Sequence, residues 1–129
     1  VLARLCTKFR DYGARIALDD FGTGSSTLER FRALRPDVTK VDGLMFRELC
    51  RSVGGRRMLK SIANTVLCAG AAILVEGIES PEHLAVAQDI GAAYFQGFGL
   101  ARPQLLPNGF GASIGLDEQS PVRLTVAFG

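Results

Sequence analysis

A rhythm of four similar units restricts the fold of this chain more than any other feature. Gly13-Ala14 precedes an apolar stretch ending at Asp19, Gly70-Ala71 precedes one ending at Glu76, and Gly91-Ala92 precedes one ending at Gln96. Each unit reads as helix, glycine, short apolar strand and polar tip, with the glycine closing the helix before the strand begins. Val38 to Asp42 supplies a further strand, and the tips Asp19, Lys40, Glu76 and Gln96 follow one another at intervals of 21, 36 and 20 residues. Each interval leaves room for a helix, so the strands lie parallel and are joined by right-handed crossovers. Such a sheet gathers its polar tips on one edge, and in a (β/α)8 barrel that edge is the mouth where chemistry is done. Four units make half of such a barrel, which takes about 250 residues. With 129 residues the chain is either a barrel fragment or a small open sheet.

The elements between the tips follow from local spacing. Leu2, Leu5, Phe9 and Tyr12 place one apolar face on an opening helix, and Ala14 to Leu18 is the first strand. Ser26 and Glu29 have the offset of a capping box, followed by a helix with Leu28, Phe31 and Leu34 on one face and a stop at Arg35-Pro36. Gly43 and Gly54-Gly55 bracket a short helical segment, and a longer helix carries the stripe Leu59, Ile62, Ala63, Val66 and Leu67. Ile73 to Val75 is apolar throughout, as in a strand covered on both faces. Ser80-Pro81 opens a helix whose Leu84, Ala87 and Ile90 face inward, and Tyr94-Phe95 is the last clear strand. The expected domain is residues 1–110, with residues 111–129 a tail that holds one further strand, Val122 to Phe128.

Composition excludes several functions. Hydrophobic residues make up 47% of the chain, enough for a core, and 15 basic against 13 acidic residues leave a formal charge of +2. That balance supports neither a nucleic-acid polymer nor direct membrane contact. No apolar run approaches the roughly 20 residues of a membrane span. Cys6, Cys50 and Cys68 lack metal-ligand spacing and read as thiols in a reducing cytoplasm. A first residue that is Val, already in helical register, reads as a cut from something longer.

The chemistry concentrates in Leu18-Asp19-Asp20-Phe21-Gly22-Thr23-Gly24. Successive strand side chains point to opposite faces, so the two aspartates share a site only if the strand stops there and the backbone turns. Two carboxylates held close repel unless a cation lies between them, and a divalent metal with oxygen ligands is the usual answer. The rim so formed collects Asp19, Asp20, Asp42, Glu76 and Glu79 around Lys40, whose ammonium orients a water or phosphate oxygen or else fills a salt bridge. Glu79 serves either as a helix-start charge or in catalysis, and Gln96 as a strand-end plug or a substrate-orienting amide. His83, the single histidine, reads as a surface residue. Walker and Rossmann phosphate-binding glycine loops and cysteine pairs are absent from the sequence.

Taken together, Ile16-Ala17-Leu18-Asp19-Asp20-Phe21-Gly22-Thr23-Gly24, Lys40-Val41-Asp42, Val75-Glu76-Gly77-Ile78-Glu79, Gln96-Gly97-Phe98 and Ala101-Arg102-Pro103 resemble the second half of EAL-domain cyclic-di-GMP phosphodiesterases. The resemblance covers about residues 1–110 and implies a modified TIM barrel, here present as about four βα units. It also implies bacterial second-messenger signalling by hydrolysis of cyclic di-GMP to linear pGpG with two Mg2+ or Mn2+ ions. On motif position Asp19 would bridge the metals, Asp20 would bind the second, and Glu76 would support that metal or act as base. Lys40 would hold the hydrolytic water, Glu79 would fix the metal-site loop, and Gln96 would orient substrate. The family's Glu-Ala-Leu motif, its metal-binding Asn and a further Glu belong to the first half and have no equivalent here, so this chain alone is expected to turn over little. Ser25 replaces a common aromatic residue in the loop tied to dimerisation, so a homodimer is an open expectation, and Gly43 separately replaces a polar residue after Lys40-Val41-Asp42. The alternative is a catalytically incomplete remnant that binds cyclic di-GMP or a protein partner.

Overall fold

The computed structural model describes residues 2–21 and 27–100. Along them run α1 (Leu2–Asp11), β1 (Ala17–Phe21), α2 (Thr27–Leu34), β2 (Val38–Val41), α3 (Gly43–Cys50), α4 (Val53–Cys68), β3 (Ala72–Val75), α5 (Pro81–Asp89) and β4 (Tyr94–Phe95). The four strands pair in parallel and in chain order, β1-β2-β3-β4. The repeat explains this order: a strand, a helix laid back across one face and an adjacent strand is the short route between parallel neighbours. Gly13, Gly70 and Gly91, which close α1, α4 and α5, take φ of +82°, +85° and +85°. That left-handed conformation is the one glycine adopts at least cost.

Alternation along the strands divides the sheet into two faces. Leu18, Val41, Ile73 and Val75 are buried with Phe46, Leu59, Ala63 and Val66 from the covering helices, and this forms the core. Lys40 belongs to the other face, with Leu74 as its register partner. Ile73, Leu74 and Val75 are all buried, as a strand covered on both faces requires.

β1 departs from the expectation that the strand stops before its acids. It continues through Asp19 and Asp20 to Phe21, and its register with β2 shifts on the way. Leu18 pairs with Thr39 and Phe21 with Val41, so three steps on β1 match two on β2. The extra residue is a β-bulge, which breaks alternation at one point. Leu18 and Phe21 are both buried in the helix-side core, and Phe21 meets Phe31 edge-on at 5.6 Å. Asp19 and Asp20 therefore fill an interval in which a regular strand would hold a single residue of the opposite face.

Other expectations also change. Gly54 and Gly55 do not separate α3 from α4 but lie in the first turn of α4, where Ser52 Oγ accepts from the Gly55 N–H at 2.9 Å. Leu28, Leu44 and Leu67 are exposed, because α2, α3 and α4 present their apolar surface to one side only. On α1, Leu5 and Phe9 lie at the surface and Cys6 is buried. The Ser26 half of the capping box, the turn Gly22 to Gly24, Ala101-Arg102-Pro103 and the tail strand at 122–128 lie outside the described residues.

Candidate active site

Lys40 stands out first, because burying an ammonium in a strand of valines is unfavourable unless anions meet it. Two do. Its Nζ donates to Asp19 Oδ2 at 3.1 Å and pairs with Glu76 Oε1 at 2.7 Å. The three residues come from adjacent strands and sit on the sheet face opposite the helix-side core, at the carboxyl ends of β1, β2 and β3. Their side chains retain 24%, 21% and 26% of their exposure, so the cluster is shielded yet open to solvent on one side. Partial burial works against the charged form of Lys40. The hydrogen bonds and charges of Glu76 and Asp19 outweigh it and hold the ammonium's pKa above the ordinary lysine value.

The ammonium marks the point where a cation is best accommodated, with carboxylate oxygens from two strands converging on it. Carboxylates without thiols or imidazole form a donor set suited to hard divalent cations such as Mg2+, Mn2+ or Ca2+. Among the described residues no group of three such ligands is assembled. The Asp20 backbone lies beside Asp19 in the bulge, and its side chain lies outside the described residues.

The remaining acids are engaged elsewhere. Asp42 caps α3, with Oδ2 accepting from the Met45 N–H at 2.9 Å. Glu79, on the loop after β3, pairs with Arg47 Nη1 at 3.3 Å. Gln96 fastens that loop through its backbone: its N–H donates to the Val75 carbonyl at 2.9 Å, and its carbonyl accepts from the Ile78 N–H at 3.0 Å. The Gln96 side chain is exposed at the end of β4. His83 is half-buried rather than a free surface residue. Its Nδ1 accepts from the Glu79 N–H at 3.3 Å, and its ring meets Phe46 edge-on at 5.9 Å. Cys50 is half-buried, and burial pushes its thiol pKa up, which suits an inert thiol.

Arg47 is the participant that sequence reasoning passed over. A signal for it was present: Gly43 lies four residues earlier on the same helix, and helical side chains lean toward the N-terminus. A long cation leaning over a residue without a side chain has room to reach across.

The EAL domain family model matches residues 1–103. YkuI of Bacillus subtilis, an EAL-domain-containing protein, is 36% identical over 102 residues, which cover 79% of this chain and 25% of YkuI. The cyclic di-GMP phosphodiesterase PdeB of Shewanella oneidensis is 33% identical over 99 residues, covering 77% of this chain and 12% of PdeB. The chain thus spans a quarter or less of the length of these relatives. Among solved structures, YkuI in complex with substrate c-di-GMP and calcium superposes with a TM-score of 0.69 at 35% identity, over 78% of this chain and 25% of that one. Klebsiella pneumoniae BlrP1, in a manganese/cy-diGMP complex, gives 0.69 at 31% identity, over 78% and 26%. A family model that matches most of the chain and relatives above 30% identity agree, and the chain belongs to the EAL domain family.

Proposed function

We propose that this chain supplies one arc of the active site of a phosphodiesterase that hydrolyses cyclic di-GMP to linear pGpG. The observation that carries the reading is the ammonium of Lys40 set between Asp19 and Glu76, three charged residues from three neighbouring strand ends. The names of PdeB and of the YkuI and BlrP1 complexes support the substrate, and the calcium and manganese in those complexes support a divalent metal.

Asp19, Asp20 and Glu76 would hold Mg2+ or Mn2+, two ions in the complete site. Such ions, when bound, acidify a water and neutralise the charge of a phosphodiester. Lys40 has three N–H donors, two committed to Asp19 and Glu76, which leaves one for the attacking water or a phosphate oxygen. Water would lose a proton and bond to phosphorus as the P–O3′ bond breaks, and the departing 3′-oxygen would take up a proton, leaving a 5′-phosphate and a 3′-hydroxyl. Glu79 acts at one remove by holding the loop that carries Glu76, and Gln96 orients substrate beside β4. The reaction belongs to the cytoplasm, where cyclic di-GMP is the partner.

Replacing Asp19 with alanine in the full-length protein is expected to lower pGpG formation at least about 100-fold, read by chromatography of the products with Mn2+ present. Unchanged turnover in that variant would exclude the metal-holding role. Binding of cyclic di-GMP by the wild type without cleavage would assign the site to recognition instead.

A further inference from the structure

Arg47 sits in the middle of α3, and its guanidinium spans the gap to Glu79 beside the point where two backbones meet. A Cβ placed on Gly43 would stand 3.1 Å from Gly77 Cα and 3.2 Å from Arg47 Nη1. A Cβ placed on Gly77 would collide with Arg47 Nη1 and stand 2.9 Å from Gly43 Cα. Gly77 also has φ of +72°, a conformation that side-chain-bearing residues rarely adopt. Two residues without side chains thus leave a slot, and the guanidinium fills it.

The loop that Arg47 meets runs from Glu76 to Glu79 and is fastened elsewhere by backbone groups. Toward β4, the Ile78 N–H donates to Gln96 at 3.0 Å and the Ile78 carbonyl accepts from the Gly99 N–H at 2.8 Å. Toward α5, the Glu79 N–H donates to His83 Nδ1 at 3.3 Å. Arg47 grips the same loop from α3, whose first turn is tied by Asp42, two residues beyond Lys40. One side chain therefore links the strand end that carries Lys40 to the strand end that carries Glu76.

We infer that Arg47 is a positioning residue: lodged against Gly43 and Gly77 and paired with Glu79, it sets the Glu76 carboxylate against the Lys40 ammonium without touching substrate. The planar guanidinium suits a slot between backbones, whereas a lysine would keep the charge and lose the flat fork. The consequence for turnover rests on the phosphodiesterase reading; the clamp on the loop stands apart from it.

The test uses the full-length protein and two readouts, amide exchange at Ile78 and Glu79 and steady-state hydrolysis of cyclic di-GMP with Mn2+. Arg47→Ala is expected to lose exchange protection at both amides and to lower kcat about tenfold with KM unchanged. Arg47→Lys is expected to recover part of both, and the charge exchange Arg47→Glu with Glu79→Arg more than either single reversal. Wild-type exchange in Arg47→Ala would overturn the clamp, and faster exchange with unchanged kcat would overturn the positioning role. A wild type that leaves cyclic di-GMP intact would sink the phosphodiesterase reading, and the exchange comparison would then decide the clamp by itself. Arg47→Lys, which retains the charge, serves where the alanine variant fails to fold.

Discussion

With Lys40 replaced by methionine, Asp19 and Glu76 would face each other across the gap its ammonium bridges at 3.1 and 2.7 Å. Like charges left in a shielded site are unfavourable, and the variant is expected to lose about 1–3 kcal/mol in metal-free buffer. The pH dependence has a definite sign. The folded protein holds the Lys40 pKa above its ordinary value, so the contribution is complete below the unfolded pKa of 10.5 and disappears as pH rises through the folded one. Melts of both proteins from neutral to strongly alkaline pH should therefore converge at the alkaline end; a constant gap would refute the assignment. Thr39, the preceding residue, presents the opposite case. Its hydroxyl is fully buried and has no hydrogen-bond partner among the described residues. Thr39→Val keeps the shape and removes the unpaired group, so a gain of about 1 kcal/mol is expected, seen as a higher urea midpoint at unchanged slope. Lys40 was legible in the sequence because a charge among valines is anomalous. The partners of Asp42 and Glu79 were not, since a carboxylate has the same letter whether it caps a helix, meets an arginine or faces a metal.

Elements were legible where the signal was local. The Ser80-Pro81 start of α5 appears as read, with Ser80 Oγ accepting from the His83 N–H at 3.1 Å. The bulge in β1 was hidden because it is a property of two strands: counting along β1 alone gives no surplus residue until β2 is laid beside it. Gly54-Gly55 misled for a related reason. The pair looks like a helix breaker, but Ser52 caps the turn, and Gly55 sits where a Cβ would come 2.8 Å from the Leu49 carbonyl carbon. Gly54, its neighbour, has open space around the same position. Alanine should consequently have opposite effects at adjacent sites. Gly54→Ala is expected to stabilise by about 0.5–1 kcal/mol through helix propensity, and Gly55→Ala to destabilise by about 1–3 kcal/mol through overpacking against α3. Urea unfolding of the two single variants reads both signs at once, and a gain from Gly55→Ala would mean that the α3–α4 corner yields more easily than its packing implies.

For the whole molecule, the consecutive strand order limits what four units can do. The sheet ends at β1 on one side and β4 on the other, and among the described residues each of those strands has a single neighbour. A closed barrel has no edges, so in one each of these strands would be flanked by a further strand. The order itself was legible from the repeat, because each helix-and-strand unit adds beside its predecessor; closure was not, because it depends on strands beyond the fourth. In the arc at hand Asp19, Lys40 and Glu76 bring charge to one side of the site, while a phosphodiester in flight needs groups on every side held to within fractions of an ångström. An arc without the facing wall would bind metal loosely and place substrate poorly. On the phosphodiesterase reading proposed above, the 129-residue chain by itself is expected to convert cyclic di-GMP to pGpG at least about 100-fold more slowly than the full-length protein, a penalty in line with small misplacements of reacting groups. Parallel assays at saturating Mn2+ decide the matter: equal rates would mean that these four strands and their loops complete a mouth without further wall, and the half-barrel account of the site would have to be abandoned.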